Sequence, residues 1–220
     1  MKYKIIINLF FVFVFLVISI EIIESAELYG VNNRLPAEMP VRAKVNRYKN
    51  NAPSIDANCN CNPGIYTVVY LTSDNESNYP VRMDTASMAQ KDMRFEPSVI
   101  VVQKGSSVQF PNLDPFFHNV FSYSKTKKFD LGKYPQGETS VVTFDKSGLI
   151  KVFCEIHSSM RAYVHVVETP YFAVSDKDGL FHISEVEPGD YTLHIWQENL
   201  SDYTEEITIK SDSTFIEVNP

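Results

Sequence analysis

The chain has 220 residues, 44% apolar and 21% charged, the composition of a globular protein with room for one or two domains once its N-terminus is set aside. Its formal net charge of −7 argues against nucleic acid and against an anionic membrane surface as partners, and fits a basic partner better.

Residues 1–26 read as a signal peptide or a membrane anchor and are excluded from fold reasoning. Lys2 and Lys4 precede an apolar run, Ile5 to Ile20, broken only by Asn8 and Ser19. Cleavage after Ala26 would place Glu24 where a small residue is preferred, so both readings stay open. In either case the lysines stay inside and the folded part is expected outside the cytoplasm, periplasmic or otherwise extracytoplasmic, secreted or anchored by this segment. Residues 27–40, with Pro36 and Pro40, read as a linker.

Val41 to Tyr48 alternates as a strand does, and residues 49–64 are a polar loop that holds Cys59 and Cys61. In an oxidising compartment these two cysteines read as a strained or intermolecular disulfide rather than as a second metal site, since no histidine lies near them. Ile65 to Leu71 is β-branched and aromatic, the mark of a buried strand. From residue 83 onward, short apolar runs alternate with turns such as Lys104-Gly105-Ser106, Asp145-Lys146-Ser147-Gly148, Asp176-Lys177-Asp178-Gly179 and Glu187-Pro188-Gly189-Asp190. Such spacing predicts all-β sandwiches.

The chemistry concentrates in Cys154-Glu155-Ile156-His157-Ser158-Ser159-Met160, a C-x2-H-x2-M loop, and in His118 upstream. A thiolate and two imidazoles in one plane, with a weak axial thioether, make the ligand set of a mononuclear blue-copper electron-transfer site. The expected ligands are His118, Cys154, His157 and Met160. The alternative is a buried thiol or a disulfide at Cys154, with Met160 as core filler. Four protein ligands leave no open position for a substrate, and no second copper cluster is visible, so an enzyme is not expected. His165, His182 and His194 read as structural or surface histidines. Lys125, Lys127 and Lys128 read as a solvated turn, with docking of an acidic partner as the other option.

Residues 95–167 resemble a cupredoxin. The resemblance rests on Phe95-Glu96-Pro97, Gly105 to Phe110, Asn112, His118-Asn119, Phe144-Asp145 with Gly148, and the Cys154-x2-His157-x2-Met160 loop, which looks most like amicyanin. More broadly the chain is similar to plastocyanin-like proteins labelled methylamine utilization proteins. The resemblance implies a Greek-key β-sandwich over 83–167 that carries copper and exchanges electrons with transient redox protein partners. It also implies that Asn119 pins the ligand strand to the cysteine loop, and that the His157 edge is the docking face. Phe95, Phe110, Phe116, Phe117, Phe121 and Phe153 would supply the apolar surround, although they read more simply as core residues and none is assigned a role of its own. Asp176 to Phe181 followed by Pro188 to Leu193 resembles a carboxypeptidase-regulatory or transthyretin-like sandwich. That sandwich is expected to be discontinuous, residues 41–80 plus 168–220, with the cupredoxin inserted between its halves. The competing functional reading is a copper carrier, a sensor or a partner-binding module without redox turnover.

Overall fold

The computed structural model describes residues 25–34, 66–74, 79, 85–211 and 213–219. Among them the chain is all β and without helix. The strands are β1 Ala26–Asn32, β2 Thr67–Thr72, β3 Thr85–Ser87, β4 Ala89–Lys91, β5 Arg94–Glu96, β6 Val99–Gln103, β7 Ser107–Pro111, β8 His118–Tyr123 and β9 Lys128–Tyr134. They continue as β10 Thr139–Thr143, β11 Gly148–Phe153, β12 Arg161–Val167, β13 Phe172–Val174, β14 Leu180–Val186, β15 Gly189–Gln197, β16 Tyr203–Ile209 and β17 Thr214–Val218.

Two sandwiches result. The first sets the five-stranded sheet β6-β12-β11-β8-β9 against the three-stranded sheet β10-β7-β3, with the β4-β5 hairpin beside them. Successive strand residues point to opposite faces, so each strand sends every second side chain inward. Val108 and Phe110 of β7, Val120 of β8, Ile150 and Val152 of β11, and Val164 and Val166 of β12 meet in one core with Phe144. All of these are essentially inaccessible to water. Burying an aliphatic or aromatic side chain of this size contributes about 1.5–3 kcal/mol, and that burial holds the sheets together.

The second sandwich sets β14-β1-β17 against β13-β2-β15-β16. Leu28, Val69, Leu71, Phe181, Ile183, Leu193, Ile195 and Ile209 form its core. The chain contributes β1 and β2, builds the first sandwich, and returns with β13 to β17.

The start of the segment expected as a linker, 27–40, is corrected by β1, which lies at the centre of its sheet. Tyr29 faces His182 of antiparallel β14 and Phe215 of parallel β17. The reason it escapes the sequence pattern is Gly30. A Cβ there would run into the Phe181 ring and lie 2.8 Å from the Ile216 carbonyl oxygen. Close packing therefore removes the apolar side chain from the middle of the alternation. Asn32, the last inward residue of β1, is 3% exposed, and its amide donates to Thr67 Oγ1 and Gln197 Oε1, each at 3.1 Å. The strand expected at Val41–Tyr48, the Cys59/Cys61 loop and the N-terminal apolar run lie outside the described residues. Among the described residues no helix is long and apolar enough to cross a membrane.

The sandwiches touch along the outward face of β12. The Tyr163 ring lies 5.1 Å from the Trp196 ring of β15, and His165 stacks on Trp196 at 5.7 Å and meets Tyr70 of β2 at 5.5 Å.

Candidate metal centre

His118 opens β8, Cys154 directly follows β11, and Met160 directly precedes β12, so rigid strands fix both ends of the ligand loop. Within the loop, the Met160 amide donates to the His157 carbonyl at 2.9 Å and the Cys154 amide to the Met160 carbonyl at 3.4 Å. The turn is thus wound back on itself, and it brings His157 over Cys154.

Cys154 Sγ lies 3.8 Å from His118 Nδ1 and 4.0 Å from His157 Nδ1, and the two Nδ1 atoms are 3.0 Å apart. Metal bonds of about 2.0 Å to imidazole and about 2.3 Å to thiolate, spread evenly in a plane, would set N and S about 3.8 Å apart and N and N about 3.5 Å apart. The three donors therefore fit a single ion, with the imidazoles drawn slightly together. They form the one His/Cys/carboxylate cluster with metal-ligand spacing found among the described residues. Met160 is 1% exposed and is buried in the same core cluster as Cys154. The structure thus brings His118, Cys154 and His157 together, and Met160 closes the same loop through its backbone bonds to Cys154 and His157. His165, His182 and His194 stand apart: His165 against Trp196, His182 stacked on Tyr29, and His194 stacked on Tyr70.

The protonation pattern suits metal binding. His118 Nε2 donates to Asp114 Oδ2 at 2.8 Å, which turns Nδ1 toward the cysteine. Burial lowers the pKa of His157, and the neighbouring His118 lowers it further, so its imidazole stays neutral near pH 7.

Asp114 is the residue that sequence reasoning missed. Its Oδ1 accepts the Asp92 amide at 2.7 Å and its Oδ2 the Met93 amide at 2.9 Å, besides the bond from His118. Burial raises the Asp114 pKa, but the hydrogen bonds from Met93, His118 and Asp92 outweigh it and hold the carboxyl below its usual range. The carboxylate therefore stays charged and fixes the ring orientation of His118, the usual role of a carboxylate behind a ligating histidine. The available signal was an acid four residues before His118, in the polar Asn112-Leu113-Asp114 stretch.

Asn119 Oδ1 accepts the Glu155 amide at 2.6 Å and so joins the His118 strand to the cysteine loop. Asn112, fully buried, donates to the Phe116 and Tyr134 carbonyls at 2.8 and 3.0 Å, and its own Oδ1 accepts the Asp114 amide at 3.0 Å. It shapes the turn that presents Asp114. Of the six phenylalanines expected around the site, Phe95 and Phe110 are core residues. Phe116 packs its ring 5.4 Å from His118 and 5.7 Å from His157. Phe117 is 55% exposed, while Phe121 and Phe153 lie against each other at 5.9 Å on the outer face of the sheet.

Comparison with known proteins places these observations. No curated protein matches the chain. Among solved structures, a Cu-containing nitrite reductase from Thermus scotoductus is similar at 22% identity and a TM-score of 0.37, over 46% of this chain and 25% of that one. The chain thus spans a quarter of that enzyme's length. The reduced state of an amicyanin mutant is similar at 22% identity and a TM-score of 0.36, over 44% of this chain and 99% of that one. A purple cupredoxin from Nitrosopumilus maritimus is similar at 20% identity and a TM-score of 0.34, over 37% of this chain and 99% of that one. Residues 162–215 match polysaccharide lyase family 4, domain II. Residues 81–167 match copper binding proteins of the plastocyanin/azurin family and contain the four candidate donors, so this part of the chain is cupredoxin-like.

Proposed function

We propose that the protein is a type 1 copper protein that passes single electrons between protein partners outside the cytoplasm. The observation that carries the reading is the His118–Cys154–His157 triangle, with its 3.0, 3.8 and 4.0 Å edges, next to a buried Met160. A copper ion held there would supply a one-electron Cu(II)/Cu(I) couple. The chain's part is to hold the donors still through the change of charge. Strands β8, β11 and β12 fix their backbone, Asp114 holds His118, and Asn119 holds the loop. With little movement demanded of the ligands, electron exchange is fast.

The surface around the site favours brief contacts. Ile156 is 42% exposed, Phe116 39%, Phe117 55% and Leu113 51%. Such an apolar patch beside a half-buried His157 suits a small interface that forms and breaks quickly. The extracytoplasmic location rests on the lysine-flanked apolar run of residues 2–20. With four protein ligands filling the centre, the reading is an electron carrier and not an enzyme.

The test is an absorption and electron paramagnetic resonance spectrum of the copper-loaded chain. The expected result is an intense visible thiolate-to-copper band with narrow hyperfine splitting, lost on Cys154→Ser. A colourless protein, or a Cys154→Ser variant that stays blue, would sink the assignment. Ready loss of copper to a chelator without a reversible redox couple would favour a copper carrier instead.

A further inference from the structure

Resting on the copper reading above, we propose that Glu198 of the second sandwich is a positioning residue for the metal loop. It grips the β-rung that closes the loop, so the second sandwich is part of the frame that sets the ligand geometry.

The loop from Cys154 to Met160 is closed at its base by the pair Phe153 and Arg161, which face each other across β11 and β12. This rung sets the separation of the first and last expected ligands. The bond inside it, from the Cys154 amide to the Met160 carbonyl, is 3.4 Å long, beyond the usual range for a backbone hydrogen bond. The long bond leaves the base of the loop open to reinforcement by what holds Arg161 from outside.

Glu198 does so. Its Oε1 accepts the Tyr163 hydroxyl at 2.6 Å and pairs with the Arg161 guanidinium at 3.3 Å. Arg161 is peptide-bonded to Met160, and Tyr163 is the next residue on the same face of β12. The Trp196 ring continues the contact along Tyr163 and His165. A short bond from a hydroxyl to a carboxylate is strong and directional. Burial, and then this bond, push the Tyr163 hydroxyl up to about 12, so it remains a donor near neutral pH. The ion pair is partly exposed, 44% at Arg161 and 28% at Glu198, and contributes little stability by itself. Its contribution is direction: it fixes where the strand leaves the loop.

The group that grips is itself rigid. Glu198 sits in the turn between β15 and β16, where Asn199 takes a φ of 66°. The Leu200 amide donates to the Gln197 carbonyl at 3.2 Å. Gln197 is buried and accepts from Asn32, while Arg34 donates to the Ser201 carbonyl at 3.0 Å. The turn is thus pinned on both sides of Glu198. Glu198 also lies outside residues 81–167, so the match to the copper-binding family supplies no role for it.

The experiment compares the full chain with its Glu198→Ala, Glu198→Gln and Tyr163→Phe variants. Amide hydrogen exchange of the copper-free protein reads Cys154 and Met160 against the mid-strand amides of Val152 and Val164. Glu198→Ala is expected to speed exchange at Cys154 and Met160 at least tenfold while Val152 and Val164 stay unchanged. The same variant, loaded with Cu(II), is expected to show altered hyperfine splitting and to release copper to a chelator several-fold faster. Glu198→Gln keeps an acceptor for Tyr163 and is expected to restore most of the wild-type behaviour, whereas Tyr163→Phe reproduces part of the loss. Unchanged loop exchange, or equal acceleration at Val152 and Val164, would overturn the proposal, the latter by showing a purely structural role. A wild-type protein that is not blue would remove the copper reading, and the exchange measurement would still decide the grip.

Discussion

Asp114 joins two parts of the metal end with one carboxylate: the β4–β5 turn through the Asp92 and Met93 amides, and β8 through His118. All three partners are donors, and both carboxylate oxygens are used. An asparagine offers one acceptor oxygen, so its NH2 would be turned toward at least one of these N–H groups. Asp114→Asn is therefore expected to let the His118 ring swing and to weaken copper binding about 10–100-fold, the usual cost of losing such a partner. Competition against a chelator of known affinity measures it. An affinity equal to wild type would show that His118 is held by its packing against Phe116 alone. Gln90 shows the opposite economy: its amide donates to Tyr134 at 2.6 Å, yet its own Oε1 is buried without a partner.

At the scale of elements, β1 shows how one residue type decides a strand's place. Gly30 lets β1 lie flat against Phe181 and beside β17, where any side chain would collide. Gly30→Ala is expected to force the Phe181 ring aside and to destabilise the second sandwich by about 1–3 kcal/mol, the usual cost of overfilling a packed site. Trp196 is the single tryptophan of the chain, and it stands where the two sandwiches meet. Its fluorescence during urea unfolding reports that change. An unfolding midpoint that does not move would show that the β1 sheet absorbs the methyl group.

For the whole molecule, the contact between sandwiches contains a group that responds to pH. Burial holds the His165 imidazole down to about 4 from an ordinary 6.5; Asp202 pulls the pKa up, and His194 pushes it further down. Its Nδ1 is buried without a partner, and its ring lies between Tyr70 and Trp196. The folded pKa is lower than the unfolded one, so between pH 6.5 and 4 the unfolded chain binds more protons. The stability is present in full above pH 6.5 and falls as the pH is lowered through this window, by up to roughly 3 kcal/mol. His165→Phe keeps a ring against Trp196 and removes the titration. It is expected to flatten the fall in stability over that range, read as melting temperature against pH. An identical slope in the variant would assign the acid sensitivity to carboxylates elsewhere.

The candidate donors were legible in the sequence because copper chemistry demands particular atoms, and close spacing puts three of them on one loop. The all-β class was legible because alternation and turn residues are local signals. Asp114 was not, since an acid in a polar turn looks the same whether or not it touches a histidine. Nor was β1, because the glycine that packing requires erases the apolar pattern that would announce a strand. Glu198 lies 38 residues beyond Met160 in the chain, and its meeting with Arg161 and Tyr163 is a long-range contact. Local pattern determined which chemistry the chain can carry. Only the packing of distant segments decided which carboxylates hold that chemistry in place, because side chains far apart in sequence become neighbours only when the sheets close on their cores.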